Sequence, residues 1–477
     1  MAKEGTIIIA CDSFLSLRNI HYGELTKYFK KVHIFVDPNQ ISGSQGIVSN
    51  AEINSLIKFD ADYETELWSL MYRADMARKV YNDGITTIGK IIGGGYRYHE
   101  KHDFRRLVYF LSNTIKFLSS FLDGLLKKHI NLRSKIVDLI NSTHISNQYH
   151  DTINQLKPDA VIGFSPEGYN EIPLLVKARI MGIPTAIMIR SRDNITSKIR
   201  FLPDAEQYYV WSNSIKNRML KLYPEIKESK IHITGSPQFD HHLNLAKRLN
   251  RSEFFNKIEL DENRPLIVYT MATPEIIPNE IEIAQYLADA ANKGLFIDNA
   301  QLLVRGHPRM FGSDVKLLKN THPEAKVYPK PTNVKYKSVD HEASLVKNII
   351  DDEIFHLSLL EYQDVQVNIC GTMTIDSAVF DKPIVNVFYD QLGNDQIVRN
   401  LYKRTDVKEM MAYKASKIAT SPEQCIELIN NYLNEPKLDS IGRKKASEED
   451  CGFLDGQSGL RIAENIKSLF NNNRVSD

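Results

Sequence analysis

The chain has 477 residues, more than one ordinary hydrophobic core organises, so length favours two or three domains. Hydrophobic residues make up 42% and charged residues 25%, as in soluble globular proteins; 60 basic against 59 acidic side chains leave a formal charge of +1, which excludes nucleic-acid binding through a bulk basic surface. Cys11, Cys370, Cys425 and Cys451 are scattered without a Cys-x-x-Cys pair, so neither a zinc site nor a disulfide framework is expected, and a reducing cytoplasm is the simplest home.

The N-terminus enters a strand directly (Thr6–Ala10), and its apolar run is too short for a signal peptide. A helix (Tyr22–Phe29) and a strand (Val32–Val36) follow, the beginning of a parallel α/β sheet. A helix-rich insertion is expected over about 51–147. Its most apolar part, 104–130, is interrupted or flanked by Arg105, Arg106, Lys116, Lys127 and Lys128, so it is too polar to span a bilayer. It reads either as a helix packed on the sheet or as a peripheral contact with the inner face of the membrane. The α/β rhythm resumes with strands Ala160–Phe164, Thr185–Ile189, Gln207–Trp211 and Ile231–Thr234 and helices Pro173–Met181 and Ser214–Leu222. Continuous Val/Ile runs without alternation fit strands covered by helices on both faces.

From Asp240 to Arg264 the chain turns polar, and the domain boundary is placed there. Strands then follow at Leu266–Tyr269, Gln301–Arg305, Lys326–Tyr328, Val365–Ile369 and Ile384–Phe388. Helices are expected near Glu280–Asn292, Asp352–Tyr362, Met373–Phe380 and Pro422–Leu433, with a last one around Gly459–Phe470 that returns to the first domain. The expected fold is therefore α/β, with two Rossmann-like doubly wound domains facing a cleft, over 1–245 and 262–477.

Open α/β sheets bind ligands beyond the carboxyl ends of their strands, so residues just after each strand are the candidates. In the second half, Thr270-Met271-Ala272-Thr273 offers hydroxyls and backbone N–H groups to an anion. Arg305-Gly306-His307-Pro308-Arg309 clusters guanidinium forks suited to a diphosphate, or forms a salt-bridged surface turn. Pro329-Lys330-Pro331 is a rigid loop for a nucleobase edge. In the segment from Val365 to Tyr389, Gly371 opens a turn and a helix begins at Met373, whose N-terminal amides and partial positive charge suit a phosphate. Thr372, Thr374 and Asp376 lie in its first turns; Thr372 and Asp376, four apart, would present a hydroxyl for phosphate and a carboxylate for sugar hydroxyls on one face. A tight glycine turn with an acid favouring the helix dipole explains the same residues.

In the first half, Asp12 and Glu167 follow strands and are candidate general bases, or else ordinary helix caps. His21, Arg190 and Arg192 are further candidates for base and acidic-acceptor contacts. The turn Thr234-Gly235-Ser236-Pro237 suits a hinge in which Gly235 and Ser236 touch donor phosphate. No Gly-x-x-x-x-Gly-Lys-Ser/Thr loop, His-Glu-x-x-His, Gly-x-Ser-x-Gly or dinucleotide fingerprint is present.

Taken together, Gly235-Ser236-Pro237-Gln238-Phe239-Asp240, Arg305-Gly306-His307-Pro308 and Gly371-Thr372-Met373-Thr374-Ile375-Asp376-Ser377-Ala378 resemble GT-B glycosyltransferases, notably bacterial enzymes that build capsule, lipopolysaccharide or other surface glycans. The Arg-x-His-Pro segment is also similar to that of CDP-glycerol glycerophosphotransferases. The resemblance covers the second half well and the first only in architecture; Asp376 stands where many relatives carry glutamate, and 51–147 match no named motif.

It implies metal-independent, inverting sugar transfer, without a cofactor, from a nucleotide-sugar donor to a hydroxyl of a glycan or lipid-linked acceptor. Asp12, Glu167 and His307 are the catalytic candidates; Thr270, Thr273, Arg305, His307, Gly371, Thr372, Met373, Thr374, Asp376, Gly235 and Ser236 are the donor contacts. Alternatives are polyol-phosphate transfer from a CDP donor, nucleotide-sugar 2-epimerisation, and nucleotide-sugar sensing without turnover.

Overall fold

A computed structural model describes residues 4–12, 14–44, 48–58, 64–71, 75, 132–164, 170–192, 194–199, 201–243, 248–272, 280–307, 310, 312–330, 352–389, 396–403 and 405–474. The chain forms two compact units, Met1–Asn244 with Cys451–Asp477, and Leu245–Asp450.

The first unit carries a parallel sheet of β1 (Thr6–Cys11), β2 (Lys31–Val36), β3 (Glu52–Ser55), β4 (Ala160–Gly163), β5 (Thr185–Met188), β6 (Gln207–Val210) and β7 (Ile231–Ile233). Their spatial order is β3-β2-β1-β4-β5-β6-β7. Ile7, Ile8 and Ile9 are fully buried, as the unbroken apolar run demands of a strand covered on both faces. The order reverses between β1 and β4, where Ile7 pairs with Ala160 and Ala10 with Gly163, and this is the position at which a doubly wound sheet opens a crevice.

Two local expectations are corrected. The stretch expected to be helix-rich contains β3, a half-exposed edge strand whose Glu-Ile-Asn-Ser sequence lacks a strand's apolar run. The first helix is Phe14–Tyr22 rather than Tyr22–Phe29. It stops because Glu24 takes a left-handed conformation, φ 48°, leaving only a single 3-10 turn, Leu25–Tyr28. The polar stretch around the expected boundary contains two helices, Pro237–Leu243 and Arg251–Ile258, the second opened by a reciprocal capping box of Asn250 and Glu253. Segment 104–130 lies outside the described residues. No helix among the described residues is long and apolar enough to cross a membrane.

The last helix, Ser458–Arg474, belongs to the first unit, where Ile462, Ala463 and Ile466 are fully buried and the Phe470 ring lies 6.3 Å from that of Phe29. Asp240 anchors its start by accepting from the backbone N–H groups of Ser458 (3.0 Å) and Gly459 (2.9 Å).

The second unit has a parallel sheet of β8 (Leu266–Thr270), β9 (Gln301–Arg305), β10 (Lys326–Tyr328), β11 (Val365–Asn368), β12 (Ile384–Val387) and β13 (Lys417–Ala419), in the order β10-β9-β8-β11-β12-β13. Alternate residues enter two cores. Ile267, Tyr269, Leu302 and Val304 pack with Ile283, Leu287 and Ile429, while Leu266, Val268 and Leu303 meet Phe254, Phe255, Phe355 and Leu359. Both units are thus Rossmann-like, with the reversal of the second falling between β8 and β11.

Candidate functional site

In the second unit the parallel register sets Arg305, Thr270 and Asn368 side by side at the ends of β9, β8 and β11. Arg305 is almost fully buried, and its guanidinium is held by the helix 352–362: Nη2 donates to Asp352 Oδ2 at 3.1 Å and Nη1 to His356 Nδ1. Asp352 and His356 are four residues apart and so share a helix face. His356 Nε2 in turn lies 3.7 Å from Asp376 Oδ2. Sequence reasoning missed Asp352 and His356, because neither follows a strand. The heptapeptide helix Met373–Val379 brings Asp376 in, but as a buried partner of His356.

The glycine turn is organised from within. Gly371 N–H donates to Asn368 Oδ1 at 2.9 Å, after Cys370 has taken φ 44°. Gly371 and Thr372 are exposed and Met373 is half-buried, whereas Thr374 is buried, its hydroxyl 3.2 Å from Asn368 Oδ1 and 3.0 Å from Asn386 Oδ1. Thr374 thus ties the start of its helix to the ends of β11 and β12. Thr270 is buried too, and its hydroxyl oxygen accepts from Gln366 Nε2 at 2.8 Å.

Two buried carboxylates shape the neighbouring loops. Glu280 accepts from Ala272 N–H (2.8 Å) and Tyr269 O–H (3.0 Å), and burial pushes its pKa up to about 8. Asp314 accepts from the backbone N–H of His307 at 2.6 Å, and its pKa too is raised by burial. It comes so close that a Cβ on Gly306 would stand 2.5 Å from its Oδ1, so a side chain there would have to displace the Asp314 carboxylate. Thr273, Pro308 and Arg309 lie outside the described residues.

In the first unit, Asp12 sits beyond β1, next to the reversal. Asn170 Nδ2 lies 3.0 and 3.1 Å from its two carboxylate oxygens, and its backbone N–H donates to Glu171 Oε1 at 2.7 Å. Burial raises the Asp12 pKa to about 6; the Asn170 hydrogen bond opposes this, Asp37 adds to it and Lys58 lowers it. Glu167, the other expected base, lies outside the described residues. Gly235 and Ser236 are buried inside the same unit: Gly235 has φ 77°, and a Cβ there would meet Ser458 Oγ at 2.5 Å and Phe453 O at 3.2 Å. The glycine allows this close packing against the returning C-terminal segment. Arg192 is buried, its carbonyl accepting from Arg218 Nη1 at 3.0 Å. His21 is half-buried beside Tyr22.

Among the described residues no group of three or more His, Cys, Asp or Glu side chains is arranged to hold a metal ion.

No family model matches the sequence, and no curated protein matches it either. Solved structures do. The UDP-GlcNAc 2-epimerase of Methanocaldococcus jannaschii superposes with a TM-score of 0.55 at 13% identity, covering 97% of this chain and 99% of its own. That of Neisseria meningitidis, bound to UDP-GlcNAc, gives 0.51 at 11% identity over 97% and 100%. The S. aureus MnaA-UDP co-structure gives 0.50 at 12% identity over 98% and 97%. The chain has the GT-B fold. At these identities the likeness concerns backbone architecture, two Rossmann-like domains in series, as the sequence resemblance implied.

Proposed function

We propose that this chain is a nucleotide-sugar enzyme that transfers a glycosyl group to a hydroxyl acceptor. The observation that carries the choice of transfer is Asp12: a carboxylate at the switch point of the first sheet, with a pKa near 6, is suited to take a proton from an attacking hydroxyl near neutral pH. In this reading the acceptor oxygen bonds to the anomeric carbon as the carbon–oxygen bond to the diphosphate breaks, and the hydroxyl proton passes to Asp12. Arg305 and the exposed Thr372 in the second unit receive the negative charge that develops on the departing diphosphate, and the exposed Gly371 turn allows its close approach. His307 and Asp376 border the same strand ends. Support for a nucleotide-sugar ligand comes from the bound UDP-GlcNAc and UDP of the structural neighbours.

A second reading, 2-epimerisation of a nucleotide sugar, is favoured by the end-to-end superposition on epimerases. Incubation with UDP-, GDP- and CDP-linked sugars, with and without glycan acceptors, separates the two. Nucleotide diphosphate released only when acceptor is present, with a new glycosidic linkage in the product, supports transfer. An epimeric nucleotide sugar formed without acceptor supports the second reading and overturns the first.

A further inference from the structure

We propose that His356 is the positioning residue that sets Arg305 for the diphosphate of a nucleotide-activated ligand, acting as a neutral imidazole protonated on Nε2. This deepens, and rests on, the donor-binding reading of the second unit.

A guanidinium has N–H donors and no acceptor, so the contact between Arg305 Nη1 and His356 Nδ1 requires a lone pair on Nδ1. The ring proton then resides on Nε2, the nitrogen that faces the Asp376 carboxylate at 3.7 Å. Arg305 thus selects the tautomer, and the nearby Asp376 carboxylate is placed to favour it electrostatically from the other side of the ring. On the same helix Asp352 takes Nη2 at 3.1 Å, so two acceptors four residues apart grip both terminal nitrogens of the fork. The ring of Phe355, stacked on Tyr328 at 3.5 Å, lies 6.0 Å from the guanidinium carbon and further restricts it.

A guanidinium held in this way has surrendered its rotamer freedom before any ligand arrives, which removes an ordering cost from binding. Arg305 Nε is also buried with no hydrogen-bond partner among the described residues. A phosphate oxygen is an acceptor well matched to a preset guanidinium.

The test is calorimetric titration of the full chain with UDP, GDP and CDP, the tightest binder then being carried through the variants, each with its melting temperature. His356→Asn places an amide oxygen near the position of Nδ1 and keeps the acceptor; His356→Gln extends its amide toward the position of Nε2 and loses it; His356→Leu removes both. The Asn variant is expected within about threefold of wild type, and the Gln and Leu variants weakened by about tenfold, the worth of one charge-assisted hydrogen bond, at closely similar melting temperatures. Equal affinity of the Asn and Gln variants, with Arg305→Ala still weakened, overturns the role of His356 and leaves the donor site standing. No binding of any of the three nucleotides by wild type, or unchanged binding by Arg305→Ala, overturns the donor site and this proposal together. Should the Leu variant fail to fold, the comparison of Asn with Gln decides.

Discussion

Asp12 illustrates how a single side chain couples stability to chemistry. Its carboxyl is neutralised more readily in the folded protein, at about 6, than its ordinary value of 3.8. Between those values the folded state binds more protons than the unfolded one, so this group's contribution to stability falls as pH rises from about 4 to 6 and stays low above that. Asp12→Asn should therefore melt higher than wild type at pH 7.5 while losing about 10²–10⁴ in kcat, and the thermal gain should vanish below pH 4. Asn170 stabilises the ionised form, so Asn170→Ala should move the acid limb of the kcat/KM profile upward by roughly half to one pH unit, with Asp12 still required. An unmoved limb would remove Asn170 from the site. Asp12 was legible because it ends an Ile-Ile-Ile strand; Asn170, 158 positions along the chain, was not. Arg305 and His356 differ in the same way, one marked by its strand and the other delivered by a helix 51 residues later.

Elements follow local rules wherever their boundary signals are local. Asn250-Arg-Ser-Glu253 is a capping box legible in four residues, and it starts a helix inside a stretch whose polarity suggests a linker. β3 and β13 have no such signal; each is a short edge strand that exists because a neighbour offers a ladder, β2 to one and β12 to the other. The start of the final helix is capped from a distance. Asp240 supplies two hydrogen bonds from 218 and 219 residues upstream. Asp240→Ala should cost about 2 kcal/mol, seen as a lower denaturant midpoint, with Asp240→Asn milder because one acceptor oxygen remains. Glycines at the same junction act through space: a Cβ on Gly459 would stand 2.0 Å from the Gly23 carbonyl oxygen, so Gly459→Ala should loosen the same helix. Hydrogen exchange over 458–474 would register both changes.

For the molecule as a whole, the C-terminal segment is part of the first unit although it follows the second in sequence. Deleting Cys451–Asp477 should therefore expose the Phe29 side of the first unit's core and sensitise that unit to proteolysis, while exchange protection within Leu245–Asp450 persists. Loss of protection in the second unit alone would contradict this division. By itself the sequence determined two doubly wound sheets, most of their strands and the strand-end candidates, because apolar runs, turn residues and helix periods are written in contiguous residues. Only the tertiary structure decided that Ser236 and Thr374 are buried inward, that Gly235 serves close packing, and that Asp376 reaches Arg305 through His356. Those outcomes depend on which distant surfaces meet, and pairing between distant positions has no periodicity that one sequence can display.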